Sequence, residues 1–368
     1  MQKSILTLAL LTALAACGGD GTNPFQTTED NIDNSDLSVE SLVKLEGTEN
    51  PSSTSDIYRY GSALNGVDDP QDPQNGYVSS VTINGNEIEV CCLAFDGNPA
   101  SDGTSVYTRD DVVASLNGYD VYEAEISTPD FLTSDAIAQI APTRAIVGVS
   151  SNTVGGQPQT RFAIVRTGGY IGYGFGGFVY EREGGVVLPT NGGEARFEGK
   201  YAGLRTYNGG GGLNYTQADL AVAIDFGGFG GNTQTIRGGY DNSRLFNNYQ
   251  VFDLNGNLIQ TGFIDTDSYD FWIPITTTDE LDDNGEMQAS INSSVTYLDD
   301  TGEAQATSGS GMFYGVLAGD LTDGSGGELV GVLTINWGNV YGDDLTQPGT
   351  RTIGVSETGG FILSRSFP

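Results

Sequence analysis

Three cysteines, 48 acidic residues and no histidine set the limits of the chemistry open to this chain of 368 residues. Without imidazole, a Ser-His-Asp triad, a Cys-His pair and a His-based zinc site are excluded, and the commonest general base near neutral pH is missing. Carboxylates remain. Glu280-Leu281-Asp282-Asp283-Asn284-Gly285 places oxygen donors at alternate positions before a glycine, as a calcium loop of the EF-hand type begins. The position where a bidentate Glu should close that loop is Ile291, so a solvated acidic turn is the expectation and no metal ligand is assigned. Asp320, Asp323 and Glu328 form a second acidic loop. Paired carboxylates can hydrolyse glycosides at a suitable separation, but among so many acids pairs meet by chance. Gly172 to Gly177 has the spacing G-x-G-x-x-G, yet the strand-like Phe178-Val179-Tyr180 follows it where a pyrophosphate site needs a helix. The aromatic group Tyr170, Tyr173, Phe175, Phe178 and Tyr180 reads as a core strand in preference to a stacking platform. No catalytic residue and no cofactor is expected, and the chain reads as a non-enzyme; a carboxylate-dependent hydrolase is the remotest alternative.

The cysteines are of two kinds. Cys17 ends a segment with Lys3 near its start and an apolar run from Ile5 to Ala16, too short to cross a bilayer and ending in small residues. That is the form of a secretory signal, and Leu14-Ala15-Ala16-Cys17 resembles the lipobox of bacterial lipoproteins, in which the thiol is acylated and becomes the mature amino terminus. Residues 1–16 are thus expected to be a signal peptide and Cys17 the lipidation site. Each buried methylene of an acyl chain contributes about 0.8 kcal/mol, so several chains on one residue make a stable anchor. Residues 17–50 are polar and acidic, with too little apolar surface to offset the entropy of ordering, and read as a disordered tether. Gly18 stands where inner-membrane lipoproteins commonly carry Asp, which favours the outer membrane, lipid-anchored on its periplasmic face or at the cell surface. Cys91-Cys92 could form a vicinal disulfide; the flanking Ile88, Val90, Leu93 and Phe95 favour two small buried residues on opposite faces of a strand.

A formal net charge of -33 repels phosphate backbones, so nucleic acid is not a partner. Lys3, Lys44 and Lys200 are the only lysines. Gly is about twice as frequent as usual at 54 residues, and 18 Tyr and 16 Phe stand against 2 Trp, which together point to short strands and tight turns.

The elements follow from that. Tyr77 to Val90 reads as a hairpin turning at Asn84-Gly85. Thr108 to Leu116 and Asp135 to Ala141 have the periodicity and caps of short helices. Strands return at 144–150, 161–167 and 170–181, and turn formers cluster at Leu188 to Gly193. Beyond them alternation is clean: Ala195, Phe197, Gly199 and Tyr201 share one face, Glu194, Arg196, Glu198 and Lys200 the other. Leu220, Val222, Ile224 and Phe226 repeat it, as do Met287, Ala289 and Ile291. With later strands near 311–318, 328–337 and 359–365, about eight antiparallel strands are expected, enough to close a barrel. The charged face of the first speaks for a soluble barrel and against one in the membrane. The fold class is mainly β: a smaller mixed (α+β) handle over residues 51–188, then an eight-stranded antiparallel barrel over 189–368.

EARFEGKYAGL (194–204), ADLAVAIDF (218–226), GMFYGVLAGDLTDGSGGELVGVLTI (311–335) and ETGGFILSR (357–365) resemble the barrel of transferrin-binding-protein-B-like surface lipoproteins. The likeness covers about half the chain. It implies a single lobe of handle plus barrel, held at the outer membrane and binding a protein or small solute through its loops. No loop matches a partner-binding motif, so transferrin is not assigned. The expectation is a membrane-anchored envelope lipoprotein acting as a non-enzymatic binding module; the alternative is a structural or adhesive envelope protein without a soluble ligand.

Overall fold

The computed structural model describes residues 45–62, 78–91, 104–124, 127–129, 136–138, 142–168, 174, 176–207, 210–227, 235–240, 245–261, 280–298, 304–322, 326–344 and 347–366. Cys17, the signal segment and most of the tether lie outside them, as do Cys92 and Asp323. Residues 43–368 make up one compact unit.

Two sheets build it. The first contains β1 (Glu46–Gly47), β2 (Ile57–Ser62), β3 (Ser80–Asn84), β4 (Glu87–Cys91), β5 (Thr104–Arg109), β6 (Ser115–Leu116) and β7 (Tyr119–Ala124). After the small hairpin β8 (Ser127–Pro129) and β9 (Ala136–Ala138) it gains β10 (Thr143–Val149). A second small hairpin, β11 (Thr153–Val154) and β12 (Gln157–Pro158), precedes β13 (Thr160–Thr167) and β14 (Gly176–Arg182). The spatial order is β1-β2-β14-β13-β10-β7-β5-β4-β3, with β6 beside β7.

The second sheet starts with β15 (Val186–Val187), β16 (Glu194–Tyr207), β17 (Gly210–Asp225), β18 (Thr235–Gly238), β19 (Phe246–Phe252) and β20 (Leu258–Thr261). It is completed by β21 (Glu280–Leu281), β22 (Glu286–Leu298), β23 (Ala304–Asp320), β24 (Glu328–Asp344) and β25 (Gln347–Ser366). Its order is β20-β19-β17-β16-β25-β24-β23-β22-β21, with β18 on β17 and β15 parallel to β23. The sheet curls around a core that includes Phe197, Tyr201, Leu220, Phe246, Phe313, Leu333 and Phe361. Among the described residues no pairing joins β20 to β21, so the expected closure into eight strands is not made by them; eleven strand segments contribute instead.

A second apolar layer, with Ile57, Ile146, Phe162 and Phe178 from one sheet and Leu204, Tyr215, Tyr314 and Val332 from the other, joins the sheets. A third covers the far face of the first sheet around Tyr107, Tyr122 and Val165. This arrangement explains where alternation stops. In β16 it holds from Glu194 to Phe197, but Tyr201 to Thr206 are all buried, because the first sheet covers the outer face there. Gly359 and Gly360 mark the tightest contact in β25: a Cβ on the first would lie 2.2 Å from the Tyr201 ring inside the curl, and on the second 2.1 Å from the Phe162 ring between the sheets.

Two expectations are overturned by turn chemistry. The segment 108–116 contains no helix: β5 runs to Arg109, and Asn117 (φ 52) and Gly118 (φ 93) make the two-residue turn from β6 to β7. Successive positive φ is what Asn-Gly supplies at a hairpin, and it prevails over a short apolar period. The expected cap is present without its helix, since the Asp110 carboxylate accepts the Val112 and Val113 N–H groups at 2.8 Å each. At Asp135 to Ala141 the described part, 136–138, is strand β9 paired to β8. The body is therefore all-β among the described residues, not α+β. The β3–β4 hairpin stands as expected, with its turn at Gly85-Asn86, one residue further on. Cys91 is disulfide-bonded, against the favoured reading of two reduced thiols, and its partner lies outside the described residues.

Candidate binding site

Among the described residues six charged side chains are buried: Asp110, Arg166, Arg182, Arg205, Glu328 and Glu357. A charge without water needs donors or a counter-ion, so each marks a place where the fold is over-determined. Four of them work between the sheets. Asp110 receives Arg144 Nε at 2.8 Å and the hydroxyl of Tyr215, on β17, at 3.0 Å. Arg166 donates to Thr206 Oγ1 at 2.6 Å and Thr358 Oγ1 at 3.0 Å, and burial pulls its pKa below the usual guanidinium range. Arg182 donates to the carbonyls of Ser52, Ser55, Gly184, Asn284 and Leu317. Glu328 joins the sheets through Ser150, Asn152 and Thr160, and Glu357 with Arg205 lies inside the curl.

A cleft lies where the β6–β7 turn and the end of β10 meet β16, β24 and β25. It measures about 280 Å³ and is lined by Asn117, Tyr119, Ser150, Ser151, Lys200 and Glu328, among others. The Tyr119 hydroxyl enters the β16–β25 ladder: it donates to the Lys200 carbonyl at 2.8 Å and accepts the Ile362 N–H at 2.9 Å. Those two residues are direct partners, so the phenol stands where a ladder hydrogen bond would be. Asn117 Nδ2 donates to the carbonyls of Tyr201 (2.9 Å) and Ala218 (2.8 Å), themselves partners in β16–β17. The turn thereby binds three strands of the second sheet at once.

Glu328 opens β24 in the wall of this cleft and is 2% exposed. Its Oε1 accepts Ser150 Oγ (2.6 Å) and Asn152 Nδ2 (2.7 Å); its Oε2 accepts Thr160 Oγ1 (2.7 Å). All three donors are neutral, and among the described residues no cation comes within ion-pair distance. Lys200, which shares the cleft, turns its ammonium to Asp219 at 2.6 Å. Burial raises the Tyr119 pKa, and the neighbouring Glu328 carboxylate adds to the rise.

Inside the curl, Glu357 is fully buried. It accepts the hydroxyls of Tyr201 (2.7 Å), Thr216 (2.9 Å) and Tyr249, and pairs with Arg205 at 3.2 Å. Burial, then the Glu357 charge, push Tyr201 well above the usual phenol range. Burial opposes the charge on Arg205, but Tyr249 and Glu357 outweigh it and its pKa is raised.

The acidic loops of the sequence have other employment. Asp282 closes the β21–β22 turn, its Oδ1 accepting the N–H groups of Asn284 and Glu286, and Asp320 Oδ1 takes the Thr322 N–H and hydroxyl. Glu328 does not belong to a solvated loop with Asp320; it is the first residue of a strand. The glycine motif ends in β14, a strand as expected. Missed altogether were Asn117, Tyr119, Ser150, Thr160 and the Glu357 cluster. A signal for Glu357 was present: it occupies a core-facing place in the series Val355, Glu357, Gly359, Phe361, Leu363.

No protein-family model matches the chain, and no curated protein matches it. Similarity to solved structures is weak. One is a mutant of the vaccine antigen transferrin binding protein B from Haemophilus parasuis Hp5, 11% identical, with 86% of this chain and 60% of that chain covered at a TM-score of 0.25. Another is a candidate outer membrane protein from Bacteroides fragilis NCTC 9343, 12% identical, with 74% and 87% covered and a TM-score of 0.13. The chain thus spans 60% of the length of the first.

Proposed function

We propose that this chain is a bacterial outer-membrane lipoprotein, anchored by acyl groups on Cys17, whose two-sheet body is a non-enzymatic binding module of the transferrin-binding-protein-B-like kind. In this reading residues 51–188 are the handle and residues 189–368 an eight-stranded barrel. The observation that carries the binding role is the use made of the buried charges. Asp110, Arg166, Arg182 and Glu328 all tie one sheet to the other, and Arg59 adds a two-pronged pair with Glu286 across the same boundary (Nη2 to Oε2, 2.7 Å). Hydrogen bonds among polar groups buried between two layers hold those layers in one register. A rigid scaffold suits recognition through loops and clefts, since the geometry of the binding groups is fixed beforehand.

Anchoring is tested by feeding cells an alkyne fatty acid: the chain should take up label, and Cys17→Ser should lose it. Binding is tested with the soluble form lacking residues 1–17, used to capture partners from the growth environment. Label on the Cys17→Ser chain removes the anchor; failure to retain any partner above background removes the binding module.

A further inference from the structure

We infer that the cleft between the sheets is a site for an organic cation, a guanidinium or primary ammonium group on an alkyl stem such as an arginine or lysine side chain presents. The inference names a ligand class for the binding module proposed above and rests on that reading.

Three observations carry it. Glu328 lies in the cleft wall and receives three neutral donors, whereas a carboxylate offers about four lone-pair sites. One site is left, and no counter-ion among the described residues compensates the group. Glu357, equally buried, has its counter-ion in Arg205, so the fold supplies one inside the curl and omits it at the wall of the cleft. The one cation in the cleft lining, Lys200, is engaged by Asp219 and leaves Glu328 alone. Beside the carboxylate, Ser150 and Ser151 line the cleft with hydroxyl oxygens that a guanidinium or ammonium can bond. A cavity of about 280 Å³ admits the head and several methylenes of such a side chain but not a folded domain. The net charge of -33 raises the local concentration of cationic partners before contact.

The probe is n-butylguanidinium chloride, titrated into the folded protein at constant ionic strength and followed by the chemical shifts of the Ser150, Ser151 and Tyr119 amides. Saturable binding is expected, with a Kd on the order of 1–10 mM for so few atoms. Glu328→Gln should weaken it at least tenfold. Ser151→Arg, which supplies a tethered guanidinium at the exposed edge of the cleft, should abolish it and raise the Tm; this second variant decides the matter if the first does not fold. Equal displacement by potassium chloride, no saturation, or unchanged affinity in Ser151→Arg overturns the inference. Because a protein partner can be captured through loops elsewhere, failure here leaves the binding module itself standing, and failure of capture leaves the titration to be judged alone.

Discussion

Glu357 and Glu328 are both buried carboxylates on neighbouring strands, one facing the inside of the curl and the other the layer between the sheets. The first is held by Arg205, two phenols and a threonine; the second by two hydroxyls and an amide. Inside a closed core a carboxylate needs a full counter-charge, because no water can take its place. At a boundary that touches solvent, neutral donors suffice. The difference separates a charge that defines how one sheet curls from a charge that fastens two sheets and keeps a remaining valence for a visitor.

The comparison breaks first at Arg205. Arg205→Met leaves Glu357 buried without its cation and should cost about 3–5 kcal/mol, read as a lower urea midpoint at an unchanged slope. Glu328→Gln removes a carboxylate that never had a cation, and the loss should be smaller, about 1–3 kcal/mol by the same measurement. An equal loss in both would erase the distinction. Tyr119→Phe takes the hydroxyl out of the β16–β25 ladder and should cost about 1–2 kcal/mol, with faster hydrogen exchange at the Ile362 amide and little change at Phe313. Arg237→Ala, which removes an exposed pair with Glu194, should stay within about 0.5 kcal/mol of the parent.

The smallest effect concerns pH. The Asp253 carboxyl is held below its ordinary value, chiefly by the Asn257 side-chain amide and then by the Asn257 and Asn255 N–H groups. A depressed carboxylate contributes its stability above the unfolded pKa and loses it as pH falls through the folded one. Acidification through that window should therefore loosen the β19–β20 turn, visible as faster exchange at the Asn255 and Asn257 amides.

Period-two patterning made the second sheet legible, since Ala195, Phe197 and Tyr201, or Met287, Ala289 and Ile291, do face one core. It failed where both faces are covered, as in Val330 to Ile335, because a strand buried on two sides alternates nothing. The false helix at 108–116 arose from weighing an apolar period above Asn117-Gly118, the same turn signal that located the β3–β4 hairpin. The candidate site was nearly invisible. Its members come from β6–β7, β10, β13, β16 and β24, and nothing local to Ser150, Thr160 or Glu328 states that they meet. Glu328 reads both with the acidic loop of Asp320 and Asp323 and as the start of a strand near 328–337; the strand that begins there is what buries it.

β25 follows every other strand in the sequence yet lies between β16 and β24. Until its 20 residues have emerged from the ribosome, the two flanking strands hold unsatisfied amides toward an empty lane, and the Tyr119 phenol has nothing to enter. A chain cut at Asp344 should therefore leave β16 and β24 with open edges and a large apolar surface uncovered.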